Sequence, residues 1–387
     1  MKFSVLKSDL LRELQLFQGV VERKNTIPIL ANLLIEAEDG VDTVRLAATD
    51  LEVALLSRCD AKVNQGGAVT LPAKKLNDIV RALPETQIEF SQPTDGTVNV
   101  VADRFSSRIQ ALPREDFPSL PEGTGESVTR LSSEALGEMV SKTQFAITGE
   151  DTRYFLNGAL FLISDSQMTL VATDGHRLAL VTSGRGNGDE LEEGAEGHDE
   201  ARVILPKKTL WELARLVDPR NGLLGDEKTD VLYEQGENHL FFDVNGRQLV
   251  SRMVDAQFPA HERVIPQGNN KRVEFERDRL AKAIKRVALL STERSRAVKF
   301  KIDANKVEVS SSSPEVGEAS EELSVDYKGA EVAICFNAQY VLDFLNVVDS
   351  ESVLLEFKDE LSQAVLSPVS DDSYDYNYTY VIMPMRV

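Results

Sequence analysis

One apolar helical stripe occurs three times in this chain at domain-sized intervals, and that repetition limits the possible folds more than any single motif. Leu76, Ile79, Val80 and Leu83 are spaced i, i+3, i+4, i+7. Leu210, Leu213, Ala214 and Val217 repeat the spacing 134 residues later, and Val341, Phe344, Leu345 and Val348 repeat it after a further 131. Such a stripe is the buried face of an amphipathic helix. Each follows a strand-like run and a helix-start signal: Val-Thr-Leu-Pro-Ala at 69–73, Val-Ile-Leu-Pro-Lys at 203–207, Ile-Cys-Phe-Asn-Ala at 334–338. Intervals this long exceed those of solenoid repeats, so each copy is a domain in its own right.

Further landmarks keep the same register. An amphipathic helix opens each copy, with Leu10, Leu14 and Phe17, then Leu136, Val140 and Thr143, then Leu280, Ile284 and Val287. Ala48-Thr49-Asp50 is echoed by Ala172-Thr173-Asp174; the third copy carries Ser-Ser-Ser-Ser-Pro at 310–314 instead. Phe117-Pro118, Phe258-Pro259 and Met383-Pro384 close the copies. Between the helices lie short β-rich runs such as 32–36, 44–48, 53–57, 158–163, 168–172, 298–302 and 353–357. Two helices and several short strands per copy give an α+β class with antiparallel sheets, not β-α-β crossovers. The copies divide at 1–127, 128–269 and 270–387. Two segments lack apolar anchors: 183–201, with five Gly and seven acidic residues, reads as mobile, and 218–230 as a loop after copy two's second helix.

No apolar run approaches a membrane span, and the chain starts on a strand pattern, Met-Lys-Phe-Ser-Val. Cys59 and Cys335 stand alone, without a C-x-x-C, which suits buried thiols in a reducing, cytoplasmic setting. The net charge of −20 argues against nucleic acid at first sight. Its distribution argues otherwise. Segments 7–24, 71–84, 132–147, 205–217, 276–290 and 336–349 carry +5 together, so the rest carries −25. Basic helices gathered on one side would meet phosphate while an acidic exterior repels it. The alternative is that Lys and Arg merely occupy solvated helix faces.

Signals for catalysis are thin. The four histidines, His176, His198, His239 and His261, form no metal-ligand spacing, and there is neither a P-loop nor a G-x-S-x-G. Gly184-Arg-Gly-Asn-Gly precedes no helix. Asp174-Gly-His176 is the one acid–histidine pair, and an enzyme reading would rest on it; a turn on a binding surface is the other reading. At the tail Tyr374, Tyr376, Tyr378 and Tyr380 alternate before Val381-Ile-Met-Pro-Met-Arg-Val. Alternation predicts a strand with its tyrosines on one face. The Met-rich end is either tucked into the core or a hydrophobic docking surface.

Several of these stretches carry a family resemblance. Thr173-Asp-Gly-His-Arg-Leu-Ala, Arg153-Tyr-Phe-Leu-Asn-Gly, Thr26-Ile-Pro-Ile-Leu-Ala-Asn-Leu-Leu, Asp116-Phe-Pro and the ending Tyr380-Val-Ile-Met-Pro-Met-Arg resemble the bacterial DNA sliding clamps, beta subunits of DNA polymerase III. The similarity spans the whole chain. It implies a head-to-tail homodimeric ring of three-domain chains, with helices lining the hole and sheets outside. Such a clamp encircles duplex DNA as a processivity factor without catalysing anything and without a cofactor or metal. It tethers DNA polymerase III and other polymerases, an ATP-dependent clamp loader, and repair and ligation proteins through short peptide motifs. The setting implied is cytoplasmic and nucleoid-associated, with no membrane.

The resemblance also implies roles for residues. Arg23, Lys24, Lys74, Lys75, Arg153, Tyr154, Lys207 and Lys208 match DNA-facing positions, although Gly149-Glu150 replaces a His-Gln sometimes found before that arginine. Thr173, Gly175, His176, Arg177, Leu178, Pro259, Arg263, Val264, Met383, Pro384, Met385 and Arg386 match a client-peptide pocket, with Asn337 and Tyr340 at its rim. There Leu178, Val264, Met383 and Met385 would supply apolar contact, and Arg177 or His176 would hydrogen-bond the peptide backbone. Val387 stands where leucine is common. Leu289 and Leu290 match an apolar contact across the dimer interface. A specialised paralogue of a replicative clamp would share all of these features.

Overall fold

The computed structural model describes residues 1–21, 27–94, 96–149, 151–164, 166–184, 201–221, 229–292, 296–369 and 375–386. Six α-helices occur among them, two per sequence copy: α1 Lys7–Phe17, α2 Ala73–Ala82, α3 Ser133–Thr143, α4 Lys207–Leu216, α5 Arg277–Val287 and α6 Ala338–Val347. Each presents the stripe read from the sequence. Leu10, Leu14 and Phe17 are buried on α1, Leu76 and Val80 on α2, Leu210 and Leu213 on α4, and Val341, Phe344 and Leu345 on α6. The last member of each second-helix stripe, Leu83, Val217 or Val348, sits just past its helix end and is still buried. Among the described residues α6 is capped by Asn337, whose side chain accepts a hydrogen bond from the Gln339 amide, and α3 by Ser132, whose Oγ accepts from the Ala135 amide at 3.2 Å.

Among the described residues the strands are all antiparallel and form four sheets. Compactness divides the chain into two units, Met1–Gly137 with Lys208–Met253, and Glu138–Lys207 with Val254–Val387. The middle sequence copy is therefore shared between them.

In the first unit, strand Val53–Asp60 pairs on one side with Thr43–Thr49 and on the other with Arg247–Arg252. This joins first-copy strands to second-copy strands in one eight-stranded sheet. A five-stranded sheet centred on Lys2–Leu6 and Gln87–Thr94 completes the unit, with Phe3 stacked on Phe90 at 4.8 Å. Glu13 is 1% exposed on α1 and is neutralised by Arg247, whose Nη2 lies 2.6 Å from Oε1. A buried carboxylate of this kind needs such a partner. Gly137 packs closely on Val217, because a Cβ there would lie 3.1 Å from Val217 Cγ2, tighter than ordinary contact.

The second unit repeats the plan. Strand Arg177–Gly184 pairs with Gln167–Thr173 and with the tail strand Tyr376–Ile382, again merging two copies in an eight-stranded sheet. A four-stranded sheet of Ala297–Asp303, Lys306–Ser313, Gly317–Ser324 and Val332–Asn337 stands beside it in sequence copy three. Of the tail tyrosines, Tyr378 and Tyr380 are buried on one face against Phe344, each at 5.3 Å, Tyr380 stacked and Tyr378 tilted. The serine run at 310–314 enters a strand, with Ser311 and Ser313 buried and Ser311 Oγ donating to the Val287 carbonyl. Strand Gly317–Ser324, GEASEELS, gives almost no apolar signal because only Leu323 faces the core.

Segments 185–200 and 222–228, together with Arg23, Lys24, Tyr374 and Val387, lie outside the described residues. No helix among the described residues is long and apolar enough to cross a membrane.

Candidate functional site

The Thr-Asp motifs are turns, and the two copies are built alike. In 173–177, Thr173 Oγ1 donates to the Arg177 carbonyl at 2.6 Å and accepts from the Gly175 amide at 3.1 Å. Asp174 Oδ1 accepts from the amides of His176 and Arg177 at 2.9 and 3.0 Å. This closed pattern lets Asp and Thr replace backbone pairing at a strand reversal. Gly175 has φ +88°, the left-handed region that glycine enters without strain, and a Cβ there would lie 3.1 Å from Arg153 Nη1.

Asp174 is thus a brace. Its remaining oxygen, Oδ2, takes Arg177 Nε at 3.0 Å. That leaves the Asp174–His176 pair without the polarising contact an acid–base couple needs.

Arg177 is the hub of the site. Beyond Asp174, its Nη1 donates to Asp343 at 2.6 Å and its Nη2 to the Phe145 carbonyl at 2.7 Å. Its guanidinium lies 4.3 Å from the Tyr340 ring centre, so it also gains cation–π attraction. Burial alone would lower its affinity for a proton, but Tyr380 and the two carboxylates outweigh that and raise it. Each of its three nitrogens holds an acceptor within the fold, so Arg177 organises the site, and His176 beside it is exposed.

Around this turn opens a groove of about 210 Å³. It is lined by Thr173, Gly175, His176, Arg177 and Leu178 from the turn, by Pro259 and Val264 from the segment that closes the central copy, and by Met383 from the tail. Arg153, Phe155, Leu156 and Val381 complete it. Its floor belongs to an apolar cluster of Leu160, Val171, Leu178, Ile204, Phe258 and Val381. Met383 is 37% exposed, and its amide donates to the His176 carbonyl at 3.0 Å. Met385 is held the same way by the Cys335 carbonyl, at 2.7 Å. The tail is a fixed wall.

Other residues expected at the pocket stand around the groove without lining it. Asn337 caps α6, and Tyr340 lies under Arg177 and accepts the Tyr380 hydroxyl proton at its carbonyl. Arg263 and Arg386 are exposed, and Pro384 and Met385 half-buried. Phe155, Leu156 and Val381 are contributors that the motif reading passed over, although Phe155 and Leu156 lie inside the Arg153-Tyr-Phe-Leu-Asn-Gly stretch.

The basic residues sort into three groups. Lys74 and Lys75 are exposed on the first turn of α2. Lys207 and Lys208 are half-buried and occupied: Lys207 Nζ donates to the Ile147 carbonyl at 3.0 Å, and Lys208 Nζ to Asp50 and to the Val20 carbonyl. Burial, and then Arg177, lower the proton affinity of Lys207. Arg153 lines the groove and is paired with Asp151 at 2.7 Å, which holds that carboxyl down at about 2; beside it Tyr154 is 58% exposed. Leu289, in the short 3-10 turn that extends α5, is 79% exposed, and Leu290 beside it is half-buried.

Profiles of the DNA polymerase III beta subunit match three consecutive stretches, the N-terminal domain at 1–121, the central domain at 130–260 and the C-terminal domain at 262–386. The beta sliding clamps of Pseudomonas putida and Escherichia coli are 36% and 35% identical to the chain over 388 aligned positions, covering all of both partners. The chain belongs to the DNA polymerase III beta-subunit family. Solved sliding clamps agree across the full length of each chain. One from Pseudomonas aeruginosa, bound to griselimycin, is 34% identical with a TM-score of 0.89, and one from Caulobacter crescentus is 33% identical with a TM-score of 0.86. The threefold sequence repeat is three tandem clamp domains, each of helices on antiparallel sheets.

Proposed function

We propose that the groove around 173–178 receives short peptide segments of client proteins, and that this is how the clamp serves them. As a member of the sliding-clamp family the chain is a processivity factor for DNA polymerase III. The finer reading is that polymerases, an ATP-driven clamp loader, and repair and ligation proteins compete for this one groove per chain. The repeating units are taken as 1–127, 128–269 and 270–387. Two chains close head-to-tail through Leu289 and Leu290 into a ring around duplex DNA, at work in the cytoplasm. Lys74 and Lys75 then face phosphate with free ammonium groups, while Lys207 and Lys208 contribute charge from fixed positions. Nothing in this role calls for bond-making.

The observation that carries the reading is the tail. Met383 stays exposed over an apolar floor while its backbone is pinned to the turn it faces. An ordered methionine held open to water beside buried Leu178 suits an apolar side chain arriving from elsewhere. The test is truncation after Ile382, which removes that wall and leaves strand Tyr376–Ile382 intact. One apolar anchor in a hot spot is worth about 2 kcal/mol. A fluorescent peptide carrying the cognate polymerase's clamp-binding segment should lose at least about tenfold in affinity. Unchanged affinity in the folded truncated protein would refute the assignment.

A further inference from the structure

The first unit holds a second groove, of about 380 Å³, made from the same parts. Its turn at 49–53 repeats the turn at 173–177 bond for bond. Thr49 Oγ1 donates to the Val53 carbonyl and accepts from the Leu51 amide, and Asp50 Oδ1 accepts from the amides of Glu52 and Val53. Asp50 Oδ2 is held by Lys208 as Asp174 Oδ2 is held by Arg177. The opposite wall begins at Pro118 as the other begins at Pro259, and Phe117 and Val250 share a core cluster as Phe258 and Val381 do.

Two differences are informative. Where the second unit has Gly175, the first has Leu51 at φ +80°. Three of the other four non-glycine residues at positive φ are Asp103, Asn245 and Asn305, whose types tolerate that region; leucine does not. Leu51 is 53% exposed and lines the groove. Strain that displays an exposed apolar side chain gives the isolated fold nothing, and such strain gathers at sites of interaction. The second difference is charge. The lining includes Glu52 and no lysine or arginine, and exposed Glu115, Asp116 and Glu122 flank the wall. The other groove is lined by Arg153 and Arg177.

We infer that this groove is a second docking site, for a short extended peptide with a bulky apolar side chain next to lysine or arginine. It takes its mode of binding from the peptide-groove reading of the second unit, and its charge selects a different set of segments.

The full-length protein with labelled leucine and valine methyls is titrated with acetyl-Lys-Leu-Phe-Lys-Lys-amide and with the same peptide carrying Glu for each Lys. The basic peptide should shift the Leu51, Leu120 and Val250 methyls saturably, and the acidic one should not. Leu51→Gly, which suits the backbone as Gly175 does, and Glu52→Lys should each weaken binding about tenfold or more without lowering the thermal midpoint. Equal binding of both peptides, saturable shifts confined to Leu178 and Val264, no saturable shift at millimolar peptide, or full affinity in folded Leu51→Gly would overturn the inference. The polymerase peptide, titrated separately, reports on the second unit's groove through Leu178 and Val264. Failure there with success here, or the reverse, tells the two sites apart.

Discussion

A single guanidinium ties the groove around 173–178 to the helix beside it. Arg177 bonds Asp174 within the turn, Asp343 on α6 and the Phe145 carbonyl, with its side chain only 9% exposed. Removing it strands two mostly buried carboxylates, and breaking a buried pair from one side costs about 3–5 kcal/mol. Arg177→Ala should therefore lower the urea midpoint of the second unit and weaken client-peptide binding together. Arg177→Lys keeps the charge but loses the planar fork, so it should restore only part of either. Both are read by urea titration and fluorescence polarisation on the same samples. If the alanine variant bound peptide with full affinity, Arg177 would have no part in shaping the groove.

At the level of elements, α3 is fastened by a lysine that the sequence gives no reason to single out. Lys142 has a side chain 2% exposed, and its ammonium meets Glu138 at 2.5 Å and Asp349 at 2.8 Å; its carbonyl takes the Tyr378 hydroxyl. Burial disfavours the charged lysine, yet the hydrogen bonds of Asp349 and Glu138 outweigh it and raise Lys142 above its ordinary 10.5. Burial likewise pushes the Asp349 carboxyl up, and Lys142 more than reverses that, leaving it below 3.8. A raised lysine contributes stability that is complete below 10.5 and fades as pH rises through its folded value. A depressed carboxyl contributes above 3.8 and fades as pH falls through its folded value. Asp349→Asn should thus destabilise the second unit near neutrality, and the gap to the parent should narrow as the pH drops below about 4, measured as urea midpoints. A gap that stayed constant would mean the pair has no linkage to folding.

Periodicity made the helices and most of the strands legible, because each buries one face and the spacing of Leu10, Leu14 and Phe17 records it. The Thr-Asp turns were legible because their side chains do the work of the backbone. Gly317–Ser324 was hidden, with Leu323 as its only buried apolar residue. At the groove, the resemblance supplied the turn and the tail, but nothing in the sequence showed that Arg177 also bonds Asp343 and the Phe145 carbonyl, each more than 30 positions away, as well as Asp174 beside it. Strand partners across copies were equally invisible, since nothing local in Val53–Asp60 points to Arg247–Arg252.

For the whole molecule, the exposed Leu289 and the split of charge between helices and the rest belong to one argument. Substituting Leu289 and Leu290 by Asp should convert the dimer expected in solution to monomer, seen by light scattering, since an interface cannot close over unpaired charge. A monomeric parent protein at micromolar concentration would remove the case for a ring. Retention on circular DNA should fail in the same variant.

The sheet that merges the second and third copies also sets an order on biosynthesis. Strand Tyr376–Ile382 lies between Arg177–Gly184 and Ala364–Pro368, inside the sheet and not at its edge. It leaves the ribosome after both of its neighbours. The first unit can assemble once Met253 has emerged, but strand Arg177–Gly184 waits for a partner that begins only at Tyr376, with an open strand edge meanwhile. A chain cut short by a stalled ribosome or a damaged message therefore carries no finished groove.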